Sequence, residues 1–137
     1  MPADIAITPI CFCLSFKIFD SIFNKKWTGN FECWYQVYKN DEYQEWHDHM
    51  PSTLSAIHFL NFKKEHKAPM FQDPNKNLKA IMNHAGLNER MLETDKYTPE
   101  VEEGDIIIFP SYLQHTVPAG KYDSHRVTIA LNLNVPL

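Results

Sequence analysis

The sequence predicts a mainly β protein, a jelly roll with one or two short flanking helices, and three observations lead to that class. Seven or eight short apolar segments follow one another, separated by turn-forming residues, which is the pattern of a sandwich or barrel. Helical periodicity is confined to two short stretches. The segment Arg126 to Leu133 puts Val127, Ile129, Leu131 and Leu133 on one strand face and Arg126, Thr128, Ala130 and Asn132 on the other. The apolar face needs a cover, while a polar face with a single arginine lines a pocket, as the strands of a jelly roll do.

The elements follow in chain order. Phe12 to Ile18 alternates like a strand with one buried face, and Ile18, Phe19, Ile22, Phe23 and Trp27 form the apolar stripe of a short helix. Phe31 to Tyr38 is aromatic and branched, a strand ended by the turn Lys39-Asn40-Asp41. A strand from Tyr43 to His49 is stopped by Pro51. Leu54 to Phe62 is nearly all apolar, which places it centrally in a sheet. Leu78, Ile81, Met82 and Ala85 then recur at helical spacing between Asn75 and Gly86, with Gly86 as the C-terminal cap. After the turn Glu102 to Asp105 come Ile106 to Phe109, stopped at Pro110, then Tyr112 to Val117, and finally Arg126 to Leu133.

At 137 residues the chain fits a single domain, 1–137, in which residues 1–30 form an N-terminal covering segment. Thirteen basic against 17 acidic residues, with no basic patch, argue against a nucleic-acid partner. Four glycines and no GxGxxG or GxxxxGK[ST] argue against a phosphate-cradling loop. The apolar run Ile5 to Phe16 is too short to span a bilayer and has no basic residues ahead of it, so neither a membrane nor a targeting segment is expected. Cys11, Cys13 and Cys33 cannot all pair, and their spacing is not a disulfide framework; a reducing, cytoplasmic compartment is expected.

Chemistry concentrates at His47-Asp48-His49. On an extended strand residues two apart share a side, so His47 and His49 aim at one point and Asp48 faces away. Alone, such a pair is as well explained by two surface histidines. Its context is Gly104 to Pro110, a turn feeding a buried strand, followed by His115 and Arg126; in facing sheets His115 approaches the pair from another strand. Three neutral imidazoles with open positions suit Fe(II), Zn or Ni, with iron the usual occupant of facial sites that activate oxygen.

Trp46-His47-Asp48-His49, Ser55 to Leu60, Gln72-Asp73-Pro74, Gly104 to His115 and Arg126 to Asn132 together resemble the 2-oxoglutarate/Fe(II)-dependent oxygenase family of marine bacteria and their phages. The resemblance spans Trp34 to Asn134, and its most specific part is the GD, FP, H and R series. It implies a prolyl-hydroxylase-like double-stranded β-helix with Fe(II) near one mouth and 2-oxoglutarate as cosubstrate. It further implies hydroxylation of a small-molecule or peptide substrate, coupled to oxidative decarboxylation of 2-oxoglutarate to succinate and CO2. By position, His47 and His115 are the two iron histidines and Arg126 grips the distal carboxylate of 2-oxoglutarate. A guanidinium on a pocket-facing strand matches a planar carboxylate, and Thr128, on the same face, offers its hydroxyl.

Two departures stand out. The superfamily triad is His-x-Asp/Glu with a distant His, and here the third position is His49. Asp48 would reach a metal through a β-bulge and Glu45 from the same strand face, but His49 needs no irregularity and is preferred. Phe59 stands where related proteins often carry a tyrosine that contacts the cosubstrate. His58 reads as a core or pocket-wall residue, and His66 and His84 as solvated. Trp34, Tyr35 and Trp46 are strand aromatics able to stack on a substrate. The stretch Lys63 to Lys96 reads as a long insertion over the pocket entrance. Two other functions share much of this pattern: a cupin-type metal protein (three-His dioxygenase, isomerase or sensor), and a non-catalytic jelly-roll binding module. A pocket-facing Arg126 separates the oxygenase from the cupin.

Overall fold

A computed structural model describes residues 31–86 and 95–134 of the chain. The strand and helix expected before Trp27, and the covering segment 1–30 to which they belong, lie outside the described residues. The elements are β1 (Phe31–Tyr38), β2 (Gln44–His47), β3 (Leu54–Asn61), β4 (Met70–Gln72), α1 (Lys76–His84), β5 (Lys96–Tyr97), β6 (Ile106–Pro110), β7 (His115–Val117) and β8 (Arg126–Leu133). They form two antiparallel four-stranded sheets, β1-β8-β3-β6 and β2-β7-β4-β5. Successive strands thus alternate between sheets through much of the chain, as a jelly roll requires.

The first sheet is ordered around β8, whose polar and apolar residues alternate along the strand. β8 pairs with β1 along its whole length, from Tyr38 opposite Arg126 to Phe31 opposite Leu133, and with β3 on its other edge. Partners across a ladder share a face. Trp34, Gln36 and Tyr38 therefore lie on the same side as Ala130, Thr128 and Arg126, and Ser55, Ile57 and Phe59 join them from β3. This inner side holds the cluster Ile57, Phe59, Phe62, Phe71 and Phe109. The reverse side carries Cys33, Ala56 and Leu131, with Ile106, Ile108 and Ile129 packed against them. The polar face of β8 is thus the inner one, and its apolar face belongs to the outside of the sheet.

The second sheet is less regular. β2 meets β7 with Gln44 opposite Val117 and His47 opposite His115, so three steps on β2 match two on β7 and one residue is extra. That β-bulge turns Glu45 and Trp46 outward together, leaving both exposed between half-buried Gln44 and His47. β2 consequently ends at His47, two residues before the expected His49. β7 begins at His115 rather than Tyr112.

The turn before β6 is closed by the Glu102 backbone N–H, which donates to the Asp105 carboxylate at 2.8 Å. Gly104 sits there at φ +96°, a conformation that side-chain-bearing residues avoid. The helix forms where its periodicity indicates, and Gly86 at φ +67° follows it as a C-terminal cap. Its apolar stripe does not point into the core: Leu78 is 56% and Ile81 66% exposed. Cys33 is buried and disulfide-bonded, so the cysteine spacing did not exclude a pairing. No helix among the described residues is long and apolar enough to cross a membrane.

Candidate metal and diacid site

The bulge and the β7 register bring His47 and His115 face to face, with ring centroids 4.3 Å apart. His49 follows in the turn after β2, where its N–H donates to the Ser111 carbonyl at 2.9 Å. Its ring centroid lies 5.0 Å from that of His47 and 5.1 Å from that of His115. One ring nitrogen from each of the three falls within 4.8 Å of the others, and this is the sole such cluster of His, Cys, Asp or Glu found among the described residues.

The outward nitrogens are held. His47 Nδ1–H donates to the Glu45 carbonyl at 2.7 Å and His115 Nδ1–H to the Leu113 carbonyl at 2.9 Å. Because a carbonyl oxygen only accepts, both rings keep their lone pair on Nε2, the state a cation needs. Burial lowers the pKa of His115 to about 4, with the neighbouring His47 adding to the effect. Burial likewise lowers His49 to about 4, reinforced by His115 and His47. Both rings are therefore neutral at pH 7.

Neither carboxylate alternative takes part. Asp48 accepts from the Met50 N–H at 3.1 Å and from Gln114 Nε2 at 2.9 Å, which holds it in the turn. Glu45, expected on the His47 face of a regular strand, is turned outward by the bulge. Its backbone carbonyl serves the site instead, by orienting His47.

Deeper in the same cavity lies Arg126, 1% exposed, with Thr128, also 1% exposed, beside it on β8. Among the described residues Arg126 Nε and Nη1, Thr128 Oγ1 and the Tyr38 hydroxyl are buried with no well-formed hydrogen bond, Tyr38 and Arg126 being polar neighbours in a geometry too poor to count as one. The guanidinium carbon lies 4.7 Å from the Tyr38 ring centre, and 5.9 and 5.8 Å from those of Phe59 and Phe62. Burial pushes the Arg126 pKa down and that of Tyr38 up. Aromatic faces attract a cation but leave its N–H groups unbonded, and a buried unpaired charge is costly. Two orphaned hydroxyls beside one guanidinium form a socket for a carboxylate.

The cavity joining socket and histidines is narrow, about 20 Å³, close to the volume of one water molecule. Phe71 stacks on His115 at 5.4 Å and Phe109 meets it edge-on at 5.0 Å, which closes the back of the site. Trp34 lines the cavity with its ring 5.8 Å from that of His49. Trp46 points away from it, under Lys96 Nζ at 5.7 Å, and Tyr35 belongs to the opposite sheet face.

Several expectations are corrected. His66 is buried, not solvated: its Nδ1 accepts from the Lys63 N–H at 2.9 Å and its Nε2 lies 3.0 Å from the Ser124 carbonyl. His58 lies on the outer face of the first sheet, opposite Ile106 and Ile129, and so is no pocket-wall residue. The described part of Lys63 to Lys96 contains β4 and α1 and lines a separate apolar groove of about 500 Å³ with Ile107 and Leu113. Tyr38 was not anticipated. The sequence marks it only as the end of a strand, and the β1–β8 register sets it opposite Arg126.

Fold and site define a class: a double-stranded β-helix with an imidazole cluster at one mouth and an unpaired arginine further in. The family model described as "Putative 2OG-Fe(II) oxygenase" matches residues 32–132, about three-quarters of the chain, and the chain belongs to that family. Among solved structures, the chain is similar to a 2OG-Fe(II) oxygenase family oxidoreductase from Burkholderia pseudomallei, with a TM-score of 0.62 and 10% identity. That alignment covers 87% of this chain and 49% of the other, so this chain spans about half the length of that protein. It is also similar to a prolyl-4-hydroxylase from Pseudomonas putida, with a TM-score of 0.61 and 15% identity, over 97% of this chain and 71% of the other. At these identities the likeness establishes the shared fold. No curated protein matches the sequence.

Proposed function

We propose that the chain is a non-haem Fe(II)- and 2-oxoglutarate-dependent dioxygenase that hydroxylates a small-molecule or peptide substrate. One observation carries the reading: Arg126 is buried with Nε and Nη1 unbonded, in the cavity that the three histidines close. A structural arginine would have a carboxylate partner, whereas a binding arginine leaves its place to the ligand.

His47, His49 and His115 hold the iron, which supplies oxygen activation coupled to oxidative decarboxylation of 2-oxoglutarate to succinate and CO2. Arg126 binds the distal carboxylate, and Thr128 Oγ1 and the Tyr38 hydroxyl donate to the same group. Tyr38 thereby takes the part that the absence of a hydroxyl at Phe59 leaves open. Phe59, Phe71 and Phe109 keep water from the inner wall. The diacid exceeds the present gap, so its binding requires the cavity lining to move.

The test is succinate formation from 2-oxoglutarate by the Fe(II)-loaded protein under air, with and without candidate peptides and metabolites. Iron-dependent turnover that His115→Ala abolishes is the expected result. Tight Fe(II) uptake with neither binding nor turnover of 2-oxoglutarate overturns the reading. The donor set of three imidazoles without a carboxylate favours a cupin-type metal protein as the second reading, and that outcome would leave it standing.

A further inference from the structure

His49 differs from the other two histidines in what holds its outward nitrogen. The Nδ1 atoms of His47 and His115 face backbone carbonyls, but His49 Nδ1 faces the side-chain amide of Asn132, with Nδ2 at 3.4 Å. The other end of that amide, Oδ1, accepts from Ser55 Oγ at 2.9 Å, and Ser55 Oγ lies 2.8 Å from Ser111 Oγ. Ser55, Ser111 and Asn132 are 1%, 0% and 7% exposed, so this polar chain is sealed from solvent. Ser111 also accepts the His49 N–H through its carbonyl, so the same residue fixes the backbone and the far end of the amide chain.

The two ends of a carboxamide have opposite consequences for the ring. With Nδ2 toward His49, the amide donates, Nδ1 accepts, and the proton of the neutral ring sits on Nε2, where it blocks a cation. With Oδ1 toward His49, the ring donates from Nδ1 and Nε2 is free to bind. Each serine hydroxyl can donate or accept, so Ser55 and Ser111 satisfy either orientation by rotating their hydroxyl protons. Backbone carbonyls allow His47 and His115 no such choice.

We infer that Asn132 is a positioning residue whose amide orientation decides whether His49 is a metal ligand, with Oδ1 turned to His49 Nδ1–H when metal is bound. The inference rests on the three-histidine site proposed above. Asn132 touches neither metal nor cosubstrate in this role; it acts through the His49 tautomer. A partner in this position commonly contributes 10-fold to 100-fold in metal affinity.

Zn(II) is the probe, since it is diamagnetic and needs no cosubstrate. In nitrogen-15 NMR of the Zn(II)-loaded protein, His49 should carry its proton on Nδ1, as His47 and His115 do. Asn132→Leu, which removes both ends of the amide, should weaken Zn(II) binding roughly 10-fold to 100-fold. Asn132→Asp, whose carboxylate only accepts, should bind at least as tightly as the native protein. Ser55→Ala, which frees the amide to rotate without touching His49, should fall between them. Equal affinities for the Leu and Asp variants, or a His49 proton that stays on Nε2 with Zn(II) bound, overturn the inference. His47→Ala and His115→Ala test the site itself: if Zn(II) binding survives both, the three-histidine reading falls, whatever Asn132 does.

Discussion

Arg126 is the residue on which stability and function pull in opposite directions. It is a buried cation with aromatic faces around it and no carboxylate partner among the described residues. Replacing a buried charge with an apolar side chain of similar length is commonly neutral or stabilising. Arg126→Met should therefore raise the stability of the ligand-free protein by about 1–3 kcal/mol, read as a higher midpoint in urea. The same variant should lose at least about 100-fold in 2-oxoglutarate affinity, since charge-assisted bonds contribute roughly 1.5–3 kcal/mol each. A variant that is less stable yet binds the diacid normally would make Arg126 structural. The inward placement of Arg126 and Thr128 was legible in the sequence because strict alternation in the last strand set the polar residues apart. The position of Tyr38 beside Arg126 was not, because it depends on a register between strands separated by most of the chain.

At the scale of elements, the bulge in β2 decides which side chains face the histidine cluster. A regular strand would put Glu45 on the His47 side, two residues earlier, and give the site a carboxylate. The extra residue sends Glu45 to solvent and turns its carbonyl onto His47 instead. Glu45→Ala should thus leave metal affinity within about 2-fold, because the backbone bond survives and backbone-directed orientation is what tunes the ring. A 10-fold loss in a calorimetric metal titration would restore Glu45 as a ligand. β1 and β8 matched their sequence limits residue for residue, since β1 is bounded by a turn, β8 alternates cleanly and the two pair along their whole length. β2 and β7 came out shorter than their apolar patterns, because pairing between them stops at His47 and His115 and composition carries no sign of where a ladder ends. The helix was legible by period, yet its apolar stripe misdirects: periodicity reports which residues share a face, not whether a neighbour covers it.

For the molecule as a whole, function depends on the space between two sheets. The first sheet supplies Arg126, Thr128 and Tyr38, the second supplies His47 and His115, and the turn leaving β2 supplies His49. The jelly roll was legible from strand count and spacing, and the convergence of His47, His49 and His115 from their positions within it. The narrowness of the cavity and the amide behind His49 were not, because both arise from packing across sheets. The central claim is that imidazoles and guanidinium serve one ligand. Calorimetric titration of 2-oxoglutarate into the protein, metal-free and loaded with Mn(II), tests it most directly. Affinity should be at least about 10-fold higher with the ion, a coupling of roughly 1.4 kcal/mol or more; equal affinity in the two titrations would contradict a shared ligand.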